Sequence, residues 1–429
     1  MKKVAFFLDN RGIENVDASC VEQGNPGIGG TEYLILLVSS LLSKRKNGLH
    51  IHLYMTHWQK ISSDVSFQVI DRMENAIQQA EENGFDIFVL KHDADNIKKD
   101  MLRAENGMKF LIWCHVFVCY WELDYYANNS DVYKIVFVGR EAWDLYRDAR
   151  SFEKSTFIYN LVNTGGCRDR VNEFPIEKRG HVVTYVGNIV PYKGFHLLAN
   201  AWPEIIREVP DAQLYVIGSG KLYDSSASFG SLGLAAPTYE KVFVDALCEN
   251  GVLRKNVHLM GCLGVEKKDI LLQTKVGVPN PSGITETFCL SAVELQAYGA
   301  KIATIKSPGY IDTVVNGKLY ATPRDLAQCV VSLLTSNENK YEEAMAYFKK
   351  EFSEEVIIKK WENLLLNGSE EPKRPLINPF YRGKIIKECL RGIKKMGFLQ
   401  KLPPLERFLI FIERNLCRKT TYMDSNLVL

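Results

Sequence analysis

Along the first 140 residues, short apolar and β-branched runs recur at helix-length intervals: Val4 to Leu8, His50 to Tyr54, Ile87 to Leu90, Phe110 to Cys114 and Ile135 to Val138. Each run is too short for a helix and is followed by a longer stretch of mixed polarity, so the spacing predicts strands alternating with helices. That alternation builds parallel sheets with helices on both faces. The pattern pauses at Asn163 to Gly180, a polar stretch with Gly165, Gly166 and alternating charges that reads as a linker. It restarts at Val182 to Val186, Leu214 to Ile217, Val257 to Met260, Val276 to Val278 and Lys301 to Ile305. Two doubly wound units are therefore expected, with ligands at the carboxyl ends of their strands. Beyond the last strand, Tyr341, Ala344, Phe348, Phe352, Ile357, Trp361 and Leu364 fall at near-helical spacing and predict one long helix over Asn339 to Leu366.

Composition narrows the class. A chain of 429 residues has room for two or three domains. Its boundaries read as 1–165, a linker 166–180, 181–340, closing helices 341–368 and a tail 369–429. With 53 Lys and Arg against 51 Asp and Glu, the net charge of +2 excludes a whole-protein polyanion binder, and no nucleic-acid partner is expected. The charge is uneven, however. From Lys373 to Lys419 there are thirteen Lys or Arg against Glu388, Glu406 and Glu413, a local charge of +10 interleaved with Ile385, Ile386, Leu390, Ile393, Phe398 and Leu399. That pattern suits either a packed basic tail or an amphipathic segment on an anionic membrane surface.

The ten cysteines are scattered without a C-x-x-C pair and read as reduced thiols of a cytosolic protein. The opening MKKVAFFLDN breaks at Asp9, too early for a leader's apolar region, and reads as the first strand. The longest apolar stretches, Tyr33 to Leu42 and Phe110 to Trp121, fall short of the roughly 18 residues of a bilayer span. A cytoplasmic location is expected, with peripheral contact to the inner face of the cytoplasmic membrane as one option. The eight His residues form no ligand cluster, and no metal is expected.

Two strand-loop-helix segments carry the chemistry. In PNPSGITETFCLSAVELQAYG, a strand enters a turn-rich loop and then a helix from about Phe288 to Tyr298, with Glu286 before the helix and Glu294 two turns inside it. A helix start offers unpaired N–H groups and the positive end of the dipole, so phosphate belongs there. The two carboxylates can accept hydrogen bonds from sugar and ribose hydroxyls on either side. By spacing alone Glu286 could equally be a cap and Glu294 a solvated residue. In YVGNIVPYKGFHLL, a strand ending at Gly187 runs through Asn188, Pro191 and Lys193 to a helix after Gly194. A lysine there can meet a diphosphate with charge-assisted hydrogen bonds.

Read together, these stretches resemble the family 4 glycosyltransferases of the GT-B fold. The family's G-R-x-x-x-x-K-G stretch corresponds to Gly187, Asn188, Lys193 and Gly194, and its E-x-F-G-x-x-x-x-E signature to Glu286, Phe288, Cys289 and Glu294. Gly27-Ile28-Gly29-Gly30-Thr31-Glu32 resembles the family's first glycine-rich loop, WCHVF holds His115 where relatives place a His near the transferred sugar, and KSPGYID resembles the loop after the last strand. The resemblance runs from residue 3 to about 366. It implies two Rossmann-like α/β domains facing across a cleft, closed by a C-terminal crossing helix. It further implies retaining transfer of a hexose-type sugar from a UDP- or GDP-linked donor to a hydroxyl. The basic, amphipathic tail without a membrane span suggests a glycan or lipid-linked acceptor, in cell-surface polysaccharide or lipopolysaccharide synthesis.

The residues carried over are Lys193, Glu286 and His115 for catalysis, and Gly29, Gly30, Gly187, Asn188, Lys193, Glu286, Thr287, Phe288, Cys289, Leu290 and Glu294 for the donor. Glu32, His115, Pro308 and Gly309 are expected at the acceptor or sugar pocket. No cofactor or metal is implied. Three positions depart from the family: Asn188 stands for Arg, Cys289 for Gly, and Ser307-Pro308-Gly309 for paired glycines. These departures keep a catalytically weak nucleotide-sugar-binding scaffold as an alternative, and a relative that isomerises its nucleotide-sugar, an epimerase-like enzyme, is a second.

Overall fold

The computed structural model describes residues 1–45, 48–93, 101–147, 149–220 and 228–368; the basic tail and its expected membrane contact, 369–429, lie outside the described residues. The first seven strands are β1 (Lys2–Leu8), β2 (Leu49–Met55), β3 (Ser66–Val69), β4 (Ile87–Lys91), β5 (Lys109–Cys114), β6 (Val132–Phe137) and β7 (Ser155–Phe157). They form one parallel sheet in the order β3-β2-β1-β4-β5-β6-β7. Phe6 of β1 lies opposite Leu53 on one side and Val89 on the other. Val4, Phe6 and Leu8 pack into one apolar layer and Ala5 into the layer behind it, so both faces are covered. That double coverage is why β1 reads as a continuous apolar run rather than an alternating one.

The second sheet repeats the scheme with β8 (Val182–Val186), β9 (Gln213–Ile217), β12 (Val257–Gly261), β13 (Val276–Gly277), β14 (Lys301–Ile305) and β15 (Gly317–Tyr320), in the order β12-β9-β8-β13-β14-β15. A small antiparallel hairpin, β10 (Cys248–Glu249) with β11 (Val252–Leu253), sits outside it. In each sheet the strand order reverses beside the first strand, between β1 and β4 and between β8 and β13. Ligands of open parallel sheets bind at that reversal, beyond the carboxyl ends of the strands.

Three local expectations are corrected. The stretch Asn339 to Leu366 is two helices, Tyr341–Glu351 and Glu354–Asn367, because Phe352 (φ −119°, ψ 0°) and Ser353 (φ −65°, ψ 154°) leave helical geometry between them. The expected linker carries a helix, Cys167–Glu173, whose Cys167 and Val171 are buried. It is held to the second domain by the buried Arg179, which donates to the main-chain oxygens of Thr274 (3.0 Å) and Tyr298 (2.7 Å). The helix expected from Phe288 spans Leu290–Ala297, since Cys289 ahead of it adopts φ 66°.

The two closing helices return to the first domain. Phe348, Phe352, Ile357, Trp361 and Leu365 join the apolar layer of β1 and β5, and Trp361 meets Trp113 edge-on at 4.7 Å between ring centroids. Burying each such large side chain stabilises the docked arrangement by about 1.5–3 kcal/mol. Among the described residues no helix is long and apolar enough to cross a membrane.

Candidate active site

A cleft of about 650 Å³ opens between the two sheets, within the usual size range of small-molecule sites. Its walls are the loops at both strand-order reversals. From the first domain come the glycine-rich loop with Gly27 and Gly30, Glu32, Lys91 at the end of β4 and His115 just past β5. From the second come Gly187 and Asn188 after β8, Lys193, Asn280 after β13, and the segment from Thr285 to Leu290 with Glu294.

Two helices begin at this cleft. The helix Gly30–Lys44 and the helix Leu290–Ala297 both start without a side-chain cap. They nearly touch: a Cβ on Gly30 would lie 3.2 Å from Leu290 Cδ1. Uncapped starts leave backbone donors and positive dipole ends for an anion. The first of these helices is buried on nearly every side from Tyr33 to Leu42, which fixes its start against the cleft.

Lysines and glutamates line the cleft as pairs. Lys193 Nζ lies 3.1 Å from Glu286 Oε2. The same oxygen accepts a 2.7 Å hydrogen bond from Asn280 Nδ2. Asn280 itself sits at φ 29°, a left-handed conformation that Asn tolerates better than most residues. Lys267 Nζ lies 2.8 Å and 3.1 Å from the two carboxylate oxygens of Glu294, and Lys91 Nζ lies 3.3 Å from Glu32 Oε1. Asn188, only 3% exposed, has no hydrogen-bond partner among the described residues at either side-chain polar atom. An unpartnered buried amide costs about 1–3 kcal/mol, so its place in a cleft wall marks a position for ligand.

The loop from Thr285 to Cys289 is clamped by the first domain. Thr287 Oγ1 donates a 2.6 Å hydrogen bond to the main-chain oxygen of His115. Burial, and secondarily the Lys91 charge, push the His115 imidazole down to about 3, so the ring is neutral near pH 7. Its Nε2 has no partner. Cys289 turns its sulfur toward Ala292, Tyr310 and Ser291 Oγ (3.4 Å), and burial pushes the thiol up to about 12.

Of the expected residues, the cleft brings together Gly30, Glu32, His115, Gly187, Asn188, Lys193, Glu286, Thr287, Phe288, Cys289, Leu290 and Glu294. Gly29 precedes the helix as its cap and does not line the cleft. Pro308 and Gly309 do not line it either. They are buried behind the loop, with Gly309 N donating to the Glu286 carbonyl at 3.2 Å. A Cβ on Gly309 would stand 2.5 Å from Phe288 N, so only glycine fits there. Lys91, Lys267 and Asn280 were not singled out from the sequence, because nothing in their local pattern separates them from ordinary loop residues.

Residues 169–352 match the family model of glycosyl transferases group 1. The fold is GT-B, as the solved structures similar to it show. The Anabaena protein Alr3699/HepE in complex with UDP and glucose is 15% identical with a TM-score of 0.60, covering 85% of this chain and 99% of its own. A glycosyltransferase from Rickettsia africae is 12% identical at TM-score 0.61, covering 86% of this chain and 99% of its own. WaaG, a glycosyltransferase involved in lipopolysaccharide biosynthesis, is 14% identical at TM-score 0.57, covering 85% of this chain and 100% of its own. A comparison with curated proteins finds no match.

Proposed function

We propose that the chain is a retaining glycosyltransferase of the family 4 type, moving a hexose-type sugar from a UDP- or GDP-linked donor to a hydroxyl of a glycan or lipid-linked acceptor. The observation that carries the reading is the Lys193–Glu286 pair beside an uncapped helix start, with Glu294 about one turn inside that helix on the same wall. The match of residues 169–352 to group 1 glycosyl transferases supports it. So do the UDP and UDP-glucose complexes of the similar Anabaena protein.

In this reading the donor diphosphate lies over the starts of the Gly30 and Leu290 helices, Glu286 holds hydroxyls of the transferred sugar, and Glu294 holds the ribose. Lys193 and the helix-start amides stabilise charge on the departing diphosphate, which is the term such a site supplies most strongly. The bond from the anomeric carbon to the diphosphate oxygen breaks, the acceptor oxygen bonds to that carbon from the same face, and the acceptor proton leaves on the released nucleotide. His115, neutral, offers a hydrogen bond to the sugar rather than a charge. The segment from Thr285 to Glu294 then acts as one preformed wall, so most of the benefit is positioning.

The acceptor side is read from the first domain, where a second cavity of about 580 Å³ at the ends of β1, β2 and β4 meets the cleft at Lys91. The similarity to WaaG, a glycosyltransferase involved in lipopolysaccharide biosynthesis, supports synthesis of cell-surface polysaccharide or lipopolysaccharide as the setting. A thermal-shift screen against UDP-, GDP-, ADP- and dTDP-sugars tests the donor. At a hundredfold excess over Kd a true donor stabilises the folded chain by about 2.7 kcal/mol. Stabilisation by one nucleotide class, lost in Glu294→Ala, is the expected result; no shift with any of them overturns the reading. Asn188 motivates a competing reading, a nucleotide-sugar-binding scaffold, whose mark would be donor binding with no nucleotide release.

A further inference from the structure

The start of the Leu290 helix is flanked by two Lys–Glu pairs. On one side Glu286 holds Lys193, and on the other both oxygens of Glu294 hold Lys267, at 2.8 Å and 3.1 Å. Lys267 ends a short turn, Val265–Lys267, whose preceding loop packs on the glycine-rich loop of the first domain. A Cβ on Gly27 would lie 3.6 Å from Gly264 N, and Lys268 Nζ donates to the Gln23 carbonyl at 2.9 Å. Tyr33, in the first turn of the Gly30 helix, shares a smaller cavity wall with Lys267, Leu290 and Glu294. The Lys267 ammonium therefore stands where both uncapped helix starts converge.

An anion at that junction meets two dipole ends. A nucleoside diphosphate brings at least two negative charges to it. Among the described residues, the cations lining the cleft are Lys91, Lys193 and Lys267. Lys91 also lines the first domain's own cavity, and its partner Glu32 belongs to the first helix. That leaves Lys193 and Lys267 on the second-domain side. The buried, unpartnered Asn188 amide independently marks this wall as built for a ligand, and it supplies no charge.

We propose that Lys267 is the second diphosphate-binding cation of the donor site, held ready by Glu294 until the ribose takes that carboxylate. This rests on the donor reading above. The physical step is an exchange of partners. Ribose hydroxyls donate to the lone pairs that Lys267 occupies, and the freed ammonium, with three donors, turns to phosphate oxygens. In the empty cleft the pair keeps an enclosed ammonium from standing unpaired, which would be costly.

Calorimetric titration of the full chain with UDP and GDP, and with uridine and guanosine, separates the phosphate contribution from the nucleoside contribution. Lys267→Gln should weaken the better-binding diphosphate by about tenfold to a hundredfold, the range of a charge-assisted hydrogen bond. The corresponding nucleoside should bind as in the parent chain, which also shows that the variant is folded. Lys267→Arg should recover most of the loss. Equal weakening of nucleoside and diphosphate would overturn the proposal in favour of a lysine that only orients Glu294. Unchanged diphosphate binding would overturn it outright. A parent chain that binds neither diphosphate would instead remove the donor reading on which it stands.

Discussion

Asp312 Oδ2 accepts a 2.8 Å hydrogen bond from the main-chain N–H of Glu141, tying the helix Pro308–Thr313 of the second domain to the helix Arg140–Asp144 of the first. Its other oxygen accepts from the Tyr159 hydroxyl at 3.1 Å, and Arg140 Nε stands 3.7 Å away. Tyr347, from the first closing helix, donates to the Asp312 carbonyl at 3.0 Å. The seam between the domains is thus organised around one enclosed carboxyl.

Burial pushes that carboxyl up to about 7 against the lowering effects of the Glu141 N–H and Arg140. In an unfolded chain it would titrate near 3.9. Between about pH 4 and 7 the folded chain holds a proton the unfolded chain has released, so stability from this group falls as pH rises through that window. Asp312→Asn should therefore be more stable relative to the parent chain at pH 8 than at pH 5, by more than about 1 kcal/mol. Urea melts at the two pH values measure it, and a difference independent of pH would refute it.

Gly139 tests the same seam sterically. A Cβ there would lie 2.4 Å from the Thr287 carbonyl oxygen and 3.1 Å from Asp312 Oδ2. Gly139→Ala should push the donor loop off the first domain, at a stability cost of about 1–3 kcal/mol. Nucleotide affinity should fall with it. Thermal melts and titration of the purified variant decide the point, and parent-like values in both would show that the seam tolerates displacement.

Lys193 and Glu286 should separate chemistry from folding. Lys193→Ala, or Glu286→Gln, is expected to lower the rate of nucleotide release from the true donor by about 10²–10³-fold, the usual loss when one preorganised electrostatic group is removed. Water can serve as acceptor for that assay. A variant that keeps its circular dichroism spectrum and its turnover would remove the residue from the mechanism.

For His115 the prediction concerns pH. With its imidazole held down to about 3, the ring does not titrate between pH 5 and 8. The rate profile of the parent chain should then show no limb near 6.5 that vanishes in His115→Asn, although turnover in that variant should drop. A limb near 6.5 lost in the variant would mean that the ring is far more solvated than its surroundings indicate.

The fold was readable because its strands are buried on both faces, so β1, β5 and β8 appear as unbroken apolar runs at helix-length intervals. β3 and β15 escaped notice because their residues are largely exposed or polar, leaving no run to see. The break at Phe352 was hidden by its own burial: an aromatic that packs on Tyr159 and Phe288 satisfies a helical pattern whether or not the backbone is helical. Glu286 and Glu294 could be found because they bracket a helix start. Asp312 and Lys267 could not, since their importance comes from partners 171 and 27 residues away in the chain.

Among the described residues, the pairing of Lys91, Lys193 and Lys267 with Glu32, Glu286 and Glu294 means that the charges lining the cleft cancel. Fields from such closely matched charges fade within a few ångströms, and salt screens what remains. If the cleft takes a nucleotide-sugar, as proposed, these paired side chains would not draw it in from a distance. In the proposed donor reading, discrimination would begin on contact, as ribose and sugar hydroxyls compete for the carboxylates and release the lysines. A bare polyphosphate, lacking those hydroxyls, would find Lys91, Lys193 and Lys267 already paired.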